Sequence, residues 1–310
     1  MLSKLLHPWY PATAFGLEKG LASVVELERR GNVGGLRRAA TVKLPESLIT
    51  PSFEESNIAD HTELAAAIRE LAASAGLLKH KRWSVSLPEA TARTLILTIE
   101  VNTAGSELEE VLKWKMDRGF GVPLEELSVS RERLLKDSQG RDRYLVVATR
   151  LAVLAEYEHL FSILGWRAGL VLPRHLGESQ WLTRNGFSGD SLLLSSTDDG
   201  FTAVVFRDRQ PIIFRSIECD PDEREDELYR LLLFYRDRRA ADSEFEQPLS
   251  RFLLTGSGFD RARASEIVNE TVGGNLRPLD AEDLGLRLPT NQLQFDIIAA
   301  PAGLATLSWK

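Results

Sequence analysis

The sequence predicts an α/β protein of two lobes in which one strand–helix pattern is used twice. Three strands followed by a helix occur near residues 13–78, and the same order returns near 190–240. Each lobe then closes on a strand–helix pair. The chain is also large enough for two cores: 310 residues, 43% apolar and 27% charged, is ordinary for a globular protein of that size.

The elements follow in order. Residues 13–44 read as three strands, "TAFGLEKG", "LASVVELERRG" and "GLRRAATVKLP", separated by glycine-bearing turns. "PESLITPSFEESNIAD" is a loop. "HTELAAAIRELAASAGLL" is an amphipathic helix with Leu64, Ile68, Leu71 and Leu78 as its buried stripe, Thr62 as its N-cap and Gly76 loosening its end. "RWSVSLPEA" alternates as a strand and stops at Pro88. Residues 92–165 then read strand ("RTLILTIEV"), helix ("SELEEVLKWKMDRGF"), two strands around "DSQGR", and helix ("LAVLAEYEHLFSILG"). Ser106 opens the first of these helices, and Glu109 completes a capping box. This block is an α+β subdomain inserted in lobe one, because "WRAGLVLPRHLGESQWLTRNG" resumes the strand–helix pattern over 166–188. Lobe two starts at 189 with three strands, turning at Asp198–Gly200 and Asp208–Gln210. A helix follows ("DEREDELYRLLLFYRDRRA"), then a strand, a glycine turn and a helix ("RFLLTGSGFDRARASEIVNETVGG"), and a last helix, "FDIIAAPAGLATL". The predicted divisions are a tail at 1–12, lobe one at 13–91 and 166–188, the insert at 92–165 and lobe two at 189–310.

Several classes of function are excluded or given no support. A net charge of −7 without a basic stripe does not suit nucleic acid. One cysteine, Cys219, excludes an internal disulfide and fits a reducing compartment. The five histidines, at 7, 61, 80, 159 and 175, lack metal-ligand spacing. "GSGFDRARASEI" lacks the third glycine of a dinucleotide loop. The most apolar window, "IIAAPAGLATLSW", contains Pro301 and falls short of the roughly 20 apolar residues a membrane span needs. At the start, Leu2, Leu5, Leu6 and Trp9 are either a short amphipathic foot or a frayed end.

A duplicated β-β-β-α-β-α pattern with an insert in its first copy is the layout of the actin-like ATPase (ribonuclease H-like) fold. Within that fold, residues 13–307 resemble the PilM family of type IV pilus assembly, with relatives in type II secretion. The resemblance is carried by "ELEEVLKWKMDRGFGVPLEELSVSRERL" and "RYLVVATRLAVLAEYEHLFSILGWRAGLVLPR", by their order and spacing rather than by either string alone.

The resemblance implies three nucleotide-holding clusters. In the first hairpin, Glu18 and Gly20 match the family's acid and glycine, but the chain continues Leu21, Ala22, Ser23 where hydroxyls for a phosphate are expected. In the second, "SSTDDG", Ser195 and Thr197 replace the acid and the glycine, and Asp198 and Asp199 sit at the turn. Two carboxylates there would repel a triphosphate, by about 1 kcal/mol per contact at 4 Å even in water. They either share Mg²⁺ or form a solvated acidic turn. The third, "LLTGSGF", keeps Gly256 and Gly258, which serve either adenosine or the tight strand–helix turn. The family's extra subdomain after lobe two's third strand is absent, since "SIECDPDEREDELYRLLLFYRDR" runs almost directly into a helix.

The implied function is a non-catalytic scaffold without cofactor, cytoplasmic and held at the inner membrane through a partner. That partner is the N-terminal tail of a PilN-type membrane protein, alongside other pilus or secretion components. Trp114, Phe120 and Tyr157 in the insert are the candidate docking aromatics, with core packing as the other reading of each. Two alternatives remain: an ATP-binding or weakly hydrolysing protein using Glu18, Asp198 and Asp199 around Mg²⁺, and a small-molecule kinase of the same fold.

Overall fold

A computed structural model describes residues 10–30, 33–100, 106–184, 189–241, 248–288 and 293–309. The proposed N-terminal foot lies outside these residues. The chain forms two compact units. The first comprises the chain through Ala92, Arg150–Trp181 and everything from Ala281 on; the second comprises Arg93–Thr149 and Leu182–Asp280.

The first unit is a six-stranded sheet. Strands β1 (Thr13–Glu18), β2 (Leu21–Arg30) and β3 (Val33–Lys43) form an antiparallel meander; β4 (Arg82–Leu87) and β8 (Arg167–Pro173) extend it in parallel, and the two-residue β13 (Leu286–Arg287) pairs with β3. The spatial order is β13-β3-β2-β1-β4-β8. Both faces are covered, so β1 is apolar without alternation. Helices α1 (His61–Ser74) and α3 (Leu151–Ile163) lie on one face, around Phe15, Trp83, Phe161 and Trp166, whose rings meet at centroid distances of 4.5 to 6.5 Å. On the other face, α7 (Phe295–Ala305) lies over β1, β2 and β4, with Pro301 against Gly16. It crosses α4 (Arg174–Thr183) at glycines: a Cβ on Gly177 would stand 2.5 Å from the Ala300 carbonyl, and one on Gly303 would strike the Gly177 carbonyl.

The second unit repeats the meander. Strands β9 (Asp190–Thr197), β10 (Gly200–Arg207) and β11 (Gln210–Glu218) are antiparallel, and β12 (Leu249–Thr255) joins β9 in parallel, giving the order β11-β10-β9-β12. The first sheet contains the same arrangement as β3-β2-β1-β4, so the duplication read from the sequence is present in topology. Helices α5 (Arg224–Ala241) and α6 (Arg261–Val272) cover one face around Leu192, Leu194, Phe201, Tyr235 and Phe252. The rest of this unit is a three-stranded sheet, β5-β7-β6, from β5 (Arg93–Ile99), β6 (Leu127–Leu134) and β7 (Asp142–Arg150), with α2 (Ser106–Phe120) against β5. Arg143 ties it to β11 through the Pro211 and Ile212 carbonyls, at 3.0 and 3.3 Å.

Several expectations change. The insert does not extend to residue 165: α3 leaves it and buries Val153, Tyr157, Leu160 and Phe161 in the first unit's core. Residues 93–149 group with lobe two rather than lobe one, and 281–310 return to the first unit although assigned to lobe two. The α1 N-cap is Asp60, not Thr62; its carboxylate accepts from the Thr62 and Glu63 amides at 2.8 and 3.0 Å. Gly76 adopts φ +68° and ends the helix, which turns Leu77 rather than Leu78 into the core. Both Glu109 oxygens accept from Arg131, at 2.8 and 2.9 Å; the Ser106 side chain of the expected capping box lies outside the described residues.

Candidate functional site

The first hairpin turns on Lys19 and Gly20, between Glu18 and its register partner Leu21. Gly20 has φ +69°, a left-handed value glycine adopts without strain, and its carbonyl accepts from the Leu44 amide at 2.9 Å. Glu18 stands at the carboxyl end of β1, beside the ends of β4 and β8, the edge where parallel sheets place ligands. There it pairs with the chain itself. Arg174, the first residue of α4, reaches the Glu18 carboxylate at 3.7 Å and donates Nε to Glu178 Oε1 at 2.8 Å. Burial works against the charge on Arg174, and the Glu178 and Glu18 carboxylates outweigh it, holding the guanidinium above its ordinary value. Next to it, the buried His175 contacts Glu89 twice: Nδ1 lies 2.7 Å from Oε1, and the backbone amide donates to Oε2 at 3.2 Å.

The second hairpin turns on Asp198 and Asp199, both exposed. Gly200 closes it at φ +143°, and a Cβ there would run into the Ile217 carbonyl, so the position admits glycine alone. The glycine turn after β12 contains Gly256 at φ +81°, then Gly258, and leads into α6, whose N-cap is Asp260. These two turns are brought together in the second unit, and the group between them is Arg224. Its Nη1 donates to the Gly258 carbonyl at 2.8 Å, and its Nη2 to the Thr197 and Asp198 carbonyls at 3.0 and 2.8 Å.

Neither arginine was singled out from the sequence. Arg224 sits in "DPDERED", which reads as a solvated acidic run. The available signal was its position: one cation at the first residue of a helix, where the dipole disfavours positive charge. Arg174 opens a helix in the same way.

The aromatic candidates separate. Trp114 is 57% exposed on α2, with Arg118 over its ring at 5.5 Å. Phe120 and Tyr157 are fully buried core side chains and do not form an exposed docking surface, which corrects their assignment. Burial, with Glu156 and Glu18 adding to it, pushes the Tyr157 hydroxyl upward; that hydroxyl bonds Asn57 at 3.3 Å.

Among the described residues no helix is long and apolar enough to cross a membrane. No protein-family model matches the chain, and no curated protein matches it. Solved structures do. A chain of the PilM-PilN type IV pilus biogenesis complex superposes with a TM-score of 0.71 at 17% identity, over 98% of this chain and 100% of that one. A Bacteroides thetaiotaomicron protein of actin-like ATPase fold and unknown function gives 0.50 at 14% identity, over 96% and 98%. The cytoplasmic domain of EpsL, an inner-membrane component of the Vibrio cholerae type II secretion system, gives 0.49 at 14%, over 92% and 97%. With the repeated β3-β2-β1-β4 and β11-β10-β9-β12 arrangements, the superposition identifies the chain's fold as that of the actin-like ATPases, an architecture that enzymes and non-enzymes share.

Proposed function

We propose that this chain is a non-catalytic scaffold of a type IV pilus or type II secretion platform, and that it holds the N-terminal tail of a PilN-type membrane protein. In this reading it works at the cytoplasmic face of the inner membrane, held there by its partner, and takes no cofactor. The observation that carries the reading is the end-to-end likeness to a chain of a PilM-PilN complex. The state of the hairpins supports the non-catalytic part. Phosphoryl transfer on such a scaffold works by positioning and by stabilising charge at the phosphates. Glu18 is engaged by Arg174, and the Thr197 and Asp198 carbonyls by Arg224, so both turns are committed to contacts within the chain. Trp114, exposed with Arg118 beside it, is the remaining aromatic candidate for a docked peptide.

A calorimetric titration with the N-terminal peptide of the neighbouring PilN-type protein tests the reading, alongside a titration with MgATP. Saturable peptide binding with no MgATP heat is expected. MgATP binding with turnover, and no peptide binding, would instead establish the alternative in which Glu18, Asp198 and Asp199 serve an altered magnesium site.

A further inference from the structure

In the second unit a side chain stands between the two turns that the resemblance assigns to a nucleotide. Arg224 is 4% exposed and starts α5. Among the described residues no carboxylate pairs with it; its acceptors are the three carbonyls of Thr197, Asp198 and Gly258. A buried guanidinium at a helix start is unfavourable unless strong acceptors surround it. Here those acceptors come from both turns at once, so the cation draws together two segments about 60 residues apart in sequence. The chemistry is opposite to that of a phosphate cradle. A cradle turns backbone N–H groups inward, whereas these turns point carbonyl oxygens at a cation. Space is closed as well. A Cβ on Gly258 would collide with Ser196 Oγ and Arg224 Nη1, and Ser196 Oγ and Arg224 Nε are themselves buried with no hydrogen-bond partner. The glycine at 258 therefore makes room for the arginine.

We propose that Arg224 is the resident occupant of this half-site, filling the gap between the β9–β10 turn and the post-β12 turn and keeping a nucleotide out. The proposal rests on the scaffold reading, in which these turns are the remains of a nucleotide site, and it names the residue that closes them. The same residue clamps the turns in one arrangement, so they loosen together when it is removed.

The test is hydrogen–deuterium exchange on the full chain, wild type and Arg224→Ala, followed at segments 196–200 and 256–260 with and without millimolar MgATP. In the wild type, MgATP is expected to leave both segments unchanged. In Arg224→Ala both segments exchange at least about tenfold faster, while the central strand β9 keeps its protection over residues 190–195. Slowing of both segments by MgATP in the wild type overturns the proposal, as does a variant in which only one turn loosens or neither does. If Arg224→Ala does not fold, Arg224→Lys is read in its place, with paired loosening expected because a lysine lacks the planar fork that spans the acceptors. The peptide titration is run on the same wild-type protein. Its failure would remove the scaffold reading without touching the exchange result, since neither turn is assigned to the peptide.

Discussion

Arg207 holds Asp190 with a two-pronged contact, Nε to Oδ1 at 2.9 Å and Nη2 to Oδ2 at 2.7 Å, and Tyr235 donates its hydroxyl to the same Oδ2 at 2.9 Å. The carboxylate is fully buried. It joins the start of β9, the end of β10 and the middle of α5 in one polar node within an apolar core. Removing one member of such a pair strands the other charge. Asp190→Ala is therefore expected to destabilise the protein by about 3–5 kcal/mol, measured by chemical denaturation. A loss under about 1 kcal/mol would mean that water replaces the carboxylate without penalty.

Where α4 and α7 cross, Gly177 and Gly303 leave no space for a methyl group. Both neighbours are backbone, which cannot step aside as a side chain can. Gly303→Ala is expected to cost about 3 kcal/mol or more and to lower the melting temperature clearly. Gly121→Ala is a useful comparison, since its Cβ would meet nothing within 4 Å and its φ of +69° leaves only backbone strain.

Trp114 and Phe120 lie on one helix and predict opposite phenotypes. Phe120→Ala empties a core site and is expected to cost about 3–5 kcal/mol. Trp114→Ala removes an exposed ring and is expected to change stability by no more than about 0.5 kcal/mol. If the peptide docks on α2, Trp114→Ala weakens its binding at unchanged stability. Calorimetry and denaturation on the same preparation separate the two effects, and an unaltered affinity would move the docking site off this helix.

Hydrogen bonding from Arg131 holds the Glu109 carboxyl below the usual range, and Arg133 does the same for Asp142. A carboxylate with a depressed folded value stabilises the native state above its unfolded pKa, near 4, and loses that contribution as the pH falls through the folded value. The α2–β6 contact is thus expected to loosen in acid, read as faster amide exchange in α2 between about pH 5 and 3 after correction for the intrinsic rate. Glu109→Gln is expected to remove most of that pH dependence. A variant with an unchanged profile would show that Glu109 contributes nothing measurable.

Much of this molecule was legible from residue order. Hairpins at Lys19–Gly20, Asp198–Asp199 and Asp208–Arg209 announce themselves through turn residues, and runs such as "LASVVEL" and "FTAVVF" can only be buried strands. The duplication followed, because both copies repeat these local signals in the same sequence. Local pattern does not say which face an apolar segment will meet. Nothing in "LAVLAEYEHLFSILG" names the sheet that α3 covers, and α7, apolar apart from Asp296, could have closed either core; the most distant of their partner strands lies about 290 residues away in sequence. Tertiary packing also decided the fate of single groups. It put Tyr157 and Phe120 inside, left Trp114 out, and carried Arg224 from an acidic surface run into the gap between two turns. Periodicity and turn chemistry act over a few residues, whereas burial and charge pairing depend on what the rest of the chain brings within reach.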